Sequence, residues 1–159
     1  MREQGRRVFA THTARLSRIV DAPLRYVYDR CTDFRSDQSR VDGSLRTTQV
    51  VTVTPQQLVR IKVYNSESEN PTVVAELVRL NPPNAWHLDW INEEEYDGVD
   101  YRLTELGPNK TQVNLVVVKR WLVPKFPKKA ESLRVAKAFW DGLAPAIEER
   151  YRSGQPAKG

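Results

Sequence analysis

The chain has 159 residues, 40% of them hydrophobic and 28% charged, with a formal net charge of +5. That is enough length and apolar content for one domain with a real core, and it excludes a disordered or fibrous chain. No apolar run approaches membrane-spanning length, and the positive residues are scattered around an acidic Glu93-Glu94-Glu95 run, which argues against a nucleic-acid surface and against stable membrane insertion.

The chain opens with a charged segment, residues 1–11, and no apolar signal segment follows it. One cysteine, Cys31, allows no internal disulfide, so a reducing, cytoplasmic setting is expected. Ala14, Leu16 and Val20 alternate with Arg15 and Ser17, the period of a half-buried strand. Asp21 is placed to cap a helix, with Pro23 in its first turn. Tyr26, Val27, Arg30 and Cys31 then recur at helical spacing, and the pattern breaks at Asp33-Phe34. A polar stretch, 35–44, leaves room for a second short helix or a turn. Strands are predicted over 45–53, 57–65, 72–80, 85–92, 101–106 and 111–122, punctuated by Pro55-Gln56, Asn81-Pro82-Pro83-Asn84 and Gly107-Pro108-Asn109. In the second of these, Val59, Ile61 and Val63 share one face, opposite Leu58, Arg60, Lys62 and Tyr64. Short, even spacing favours hairpins and an antiparallel sheet.

After Pro124 and Pro127 a helix is predicted over about 128–152. Leu133, Ala136, Trp140, Leu143, Ile147 and Tyr151 form its apolar stripe, and Gly142 and Pro145 interrupt it. A single long amphipathic helix after a run of hairpins has one place to bury that stripe, the concave face of the sheet. The fold class is therefore α+β: a helix-grip architecture, a curved antiparallel sheet wrapped around a long C-terminal helix. The domain is expected over 12–153, with a flexible polar tail over 154–159.

The string Val20-Asp21-Ala22-Pro23, the Val27-Tyr28 pair and the Thr32-Asp33-Phe34 close, in this order of elements, resemble the N-terminal signature of the SRPBCC superfamily. That superfamily includes START lipid-transfer domains, polyketide cyclase and dehydrase-like proteins, and birch-pollen-allergen-like proteins. The resemblance covers roughly residues 14–152. It implies a cavity between sheet and C-terminal helix that holds a hydrophobic or amphipathic small molecule, and it implies no universal catalytic triad. The iron site of the superfamily's Rieske oxygenase branch is not carried over, because no cluster of two histidines and a carboxylate is present.

The candidate chemistry is sparse. His87 and Asp89 share a strand face opposite Trp86, Leu88 and Trp90, so they are expected to face solvent. His12 is the only other histidine, and no metal site or cofactor is expected. Val113, Leu115, Val117, Lys119 and Trp121 share a face, which would set the Lys119 ammonium at the cavity or its rim. Ligand contacts are assigned to Trp86, Trp90, Tyr101, Val117, Lys119, Trp121 and Trp140, with Lys119 and Tyr101 as polar anchors. Cys31 reads as a small buried hydrophobe, Asp33 as a structural cap. The expected function is binding or transport of a hydrophobic small molecule. The alternative is a polyketide cyclase- or dehydratase-like enzyme using the same cavity.

Overall fold

The computed structural model describes residues 8–34, 46–64, 72–91, 95–122 and 129–159. The stretch 35–44, with its expected second helix or turn, lies outside the described residues. Seven strands and two helices are described: β1 (Phe9–Val20), α1 (Leu24–Cys31), β2 (Arg46–Thr54), β3 (Gln57–Tyr64), β4 (Thr72–Asn81), β5 (Ala85–Ile91), β6 (Glu95–Gly107), β7 (Lys110–Leu122) and α2 (Lys129–Arg152). No described helix is long and apolar enough to cross a membrane.

The strands form one curved antiparallel sheet in the order β1-β7-β6-β5-β4-β3-β2. Hairpins link β2 through β7 in sequence, while β1 pairs with β7 over its whole length, from Phe9 opposite Leu122 to Val20 opposite Thr111. Strand alternation sorts residues onto two faces. Leu80, Trp86, Tyr101, Leu115 and Leu16 lie in one cross-strand row of the concave face. Leu88, Val99, Val117 and Ala14 form the next. The core is packed between these rows and the two helices, with Trp140, Ala144 and Ile147 of α2 and Val27, Tyr28 and Cys31 of α1 buried against them.

Three local features differ from the sequence reading. Asp21 does not cap α1: Pro23 stands at the N-cap with no side-chain cap bond, and the Asp21 N–H donates instead to Glu148 Oε1 at 3.0 Å. The turn is held by tertiary bonds, including a buried one from Thr111 Oγ1–H to the Ala22 carbonyl at 2.8 Å. Strand β6 begins at Glu95, six residues before the predicted start, because Gly98 and its acidic neighbours find partners across the sheet. The apolar stripe of α2 is buried from Trp140 onward, whereas Leu133 at its beginning is exposed. The helix runs through Gly142 and Pro145 to Arg152. Beyond it, residues 154–159 are tied back to α1: Tyr26 Oη–H donates to the Gln155 carbonyl at 2.8 Å, and the Gly159 N–H to Asp33 Oδ2 at 3.1 Å.

Candidate functional site

A cavity of about 60 Å³ lies where the concave face meets α1 and α2. Trp86 and Tyr101 face one another across β5 and β6, and their rings stack at 4.5 Å with planes 9° apart. The stack extends in both directions. Tyr28 of α1 meets Trp86 edge-on at 5.9 Å, and Trp140 of α2 meets Tyr101 at 6.1 Å. Phe139, 38% exposed, lies edge-on to Trp140 on the solvent side. Leu88, Leu143, Phe34 and Cys31 complete the apolar lining, with Arg30 and Arg60 as its charged members.

The polar groups of this cavity are mostly committed. Arg60 and Glu76 are an ion pair with side chains only 7% and 9% exposed; Arg60 Nε–H donates to Glu76 Oε2 at 2.6 Å, and Nη2 reaches the same oxygen. The guanidinium carbon also sits 4.6 Å above the Phe34 ring. Burial pushes the Cys31 thiol up to about 12 and raises Tyr101 strongly, so both carry their protons at neutral pH. The Trp140 N–H lies near the Tyr101 hydroxyl and favours its phenolate, but no hydrogen bond closes between the two. Trp140 Nε1 is buried without a partner, and so is Tyr28 Oη, behind the Trp86 wall.

Of the residues assigned from sequence, Trp86, Tyr101 and Trp140 meet at this cavity. Val117 is buried one cross-strand row away, opposite Val99. Trp90, Lys119 and Trp121 continue the same concave face further along the strands. Lys119 is held by Asp97, its cross-strand neighbour, with Nζ 3.1 Å from Oδ2. Burial raises the Asp97 carboxyl, and the Lys119 charge opposes that rise. Trp121 is buried and receives the His12 ring at 5.3 Å. Arg30, Cys31, Phe34, Arg60, Leu88, Phe139 and Leu143 were missed as lining. Arg30, Cys31 and Phe34 stood in the α1 motif, Leu88 on the face of Trp86 and Trp90, and Leu143 in the helix stripe, so only Arg60 and Phe139 had no signal pointing inward.

His87 and Asp89 lie on the convex face, as alternation predicts. His87 Nδ1 is 2.6 Å from Asp100 Oδ1, and Nε2 is 2.7 Å from Asp89 Oδ1. Asp89 also accepts from Tyr96 Oη–H at 2.7 Å and from Arg79 at 2.8 Å. Burial tends to raise the Asp89 carboxyl, but the bonds from His87 and Tyr96 and the Arg79 charge outweigh it and hold it below the ordinary carboxylate value. Tyr96 reaches Asp89 by lying over Gly98, where any Cβ would collide with its hydroxyl. These bonds clamp β4, β5 and β6 together. The convex groove beside them is larger, about 710 Å³, and charged and polar side chains such as Arg79, His87, Asp100 and Arg102 stand along it.

No protein-family model matches the sequence, and no curated protein matches it. Solved structures do match in fold. The Zhui aromatase/cyclase from Streptomyces sp. R1128 superposes with a TM-score of 0.67 at 11% identity, covering 91% of this chain and 98% of that one. Ara h 8.0201 gives a TM-score of 0.67 at 13% identity, covering 91% and 99%. A START superfamily protein from Mycobacterium smegmatis gives 0.66 at 15% identity, covering 89% and 98%. With seven antiparallel strands curved around a C-terminal helix, this chain has the helix-grip fold shared by these solved structures.

Proposed function

We propose that the chain binds a hydrophobic or amphipathic small molecule in the cavity between the sheet and α2. The observation that carries this reading is the aromatic lining built by Trp86, Tyr101 and Trp140, three residues from three elements. Ligand sites are typically apolar with a few placed polar groups, and this lining has that composition. At about 60 Å³ the cavity holds roughly four waters, so a ligand larger than that must displace Phe139 and Leu143 on the α2 side. Val117, Trp90 and Trp121 extend the apolar face for a longer molecule, and the Lys119–Asp97 pair stands where its polar end would reach. The lining favours binding over cyclase chemistry: Tyr101 and Cys31 are protonated, and Glu76 is committed to Arg60, so the cavity offers donors rather than a base.

The test uses indane, a rigid bicyclic hydrocarbon, titrated into the protein while tryptophan fluorescence is followed. A saturable change with one site per chain is expected, because two lining residues are tryptophans. Leu143→Phe fills the cavity and should abolish it. Indane binding that survives Leu143→Phe would place the ligand elsewhere.

A further inference from the structure

We infer that the ligand carries a neutral hydrogen-bond acceptor, a carbonyl-type oxygen, and that the Trp140 indole N–H receives it. This rests on the cavity being a ligand site, as proposed above. Trp140 is 1% exposed and lines the cavity, yet its Nε1 has no partner. A buried N–H without an acceptor carries the full desolvation penalty of that group, and native proteins rarely tolerate one. The neighbouring polar groups cannot relieve it. The Tyr101 hydroxyl is near but closes no hydrogen bond with it, and Arg60 can only donate. An oxygen brought in by a ligand supplies what the protein lacks.

The charge state of the wall selects the kind of oxygen. Of the two cations in the lining, Arg60 is neutralised by Glu76 and Arg30 has interactions of its own; Lys119, further along the same face, is paired with Asp97, so neither Arg60 nor Lys119 awaits an anion. A carboxylate would add a third charge to a nearly dry ion pair, at a large cost. A ketone, aldehyde or amide oxygen adds none. The stacked Trp86–Tyr101 pair beside Trp140 favours a flat ring system bearing that carbonyl.

The experiment compares indane with 1-indanone, the same skeleton with one carbonyl. Both are titrated against the wild-type chain and against a chain carrying benzothienylalanine in place of Trp140, which exchanges the N–H for sulfur at nearly constant shape. The loss of the N–H should weaken 1-indanone about tenfold, the size of one net hydrogen bond, and leave indane unchanged. Tyr28→Phe, which removes the other unpartnered donor behind the wall, should alter neither ligand. Equal effects on both ligands, no effect on either, or a loss of 1-indanone affinity in Tyr28→Phe matching that in the isostere would overturn the assignment. If indane binds the wild type and 1-indanone does not, the carbonyl inference fails while the cavity reading stands. If neither binds, both fail.

Discussion

Replacing Glu76 by Gln removes one charge of the Arg60–Glu76 pair without removing much volume. The pair lies in the cavity wall with both side chains under one-tenth exposed, so the guanidinium left behind has little access to water. Two opposite charges about 4 Å apart interact by about 4 kcal/mol at an effective dielectric near 20. The Phe34 ring under the guanidinium persists and offsets about 1 kcal/mol of that loss. Glu76→Gln should therefore cost about 3 kcal/mol, at the lower end of what breaking a buried pair costs. For a chain of this size that is a fall of about 6–12 °C in melting temperature. The informative partner is the double variant Arg60→Met with Glu76→Leu, which replaces both charges by apolar groups and should be nearly neutral or stabilising. Urea titration of the wild type, Arg60→Met, Glu76→Leu and the double variant closes a thermodynamic cycle, with Glu76→Gln measured beside it. A loss below about 1 kcal/mol for Glu76→Gln, or a double variant as unstable as the single ones, would refute the claim that the pair is a dry, mutually dependent unit.

Two other perturbations test the packing and the convex clamp. Trp140→Ala should cost about 3 kcal/mol in the same titration, the low end for a buried Trp because one side of the ring already borders free space; a change near zero would show that α2 does not hold the core. Asp89 has a carboxyl lowered in the folded state, so its contribution is present above the ordinary carboxylate value and is lost as pH falls through the folded one. Asp89→Asn should thus be less stable than wild type by about 1 kcal/mol at pH 7, with the gap closing below about pH 4, and a gap equal at pH 3 and pH 7 would contradict the clamp.

The fold was legible because its signals are local and periodic. Strand β7 alternates in burial from Thr111 to Val118, and the stripe from Trp140 to Tyr151 recurs at helical spacing. The parts that escaped depend on partners far along the chain. In β3 the more apolar face by sequence, that of Val59 and Ile61, turns out to be convex, while Arg60 points inward. A charged residue reads as solvent-facing until Glu76, sixteen positions away, is known to meet it. The first half of β6 failed to read as strand for the same reason: Asp97 is stabilised by Lys119, and Gly98 serves Tyr96. Trp86, Tyr101 and Trp140 could be named as lining because large aromatics on inward faces have few other uses. That Trp140 would bury an unpartnered N–H could not, since satisfaction of a donor is a property of three-dimensional surroundings.

The pairing of the first strand with the last has a consequence for how the chain assembles. Strands β2 to β7 can zip as successive hairpins, each closing a short loop, but β1 must wait for a partner about a hundred residues downstream. During synthesis β1 leaves the ribosome first and stays unpaired until β7 emerges, with its apolar side, Ala14, Leu16 and Val20, uncovered throughout. The closing of β1 onto β7 also brings the turn at Ala22 to Thr111 and Arg18 to Asp141 of α2, so the helix docks as the N-terminal strand arrives. The wall that Trp140 and Leu143 of α2 give the cavity is complete only once that docking is.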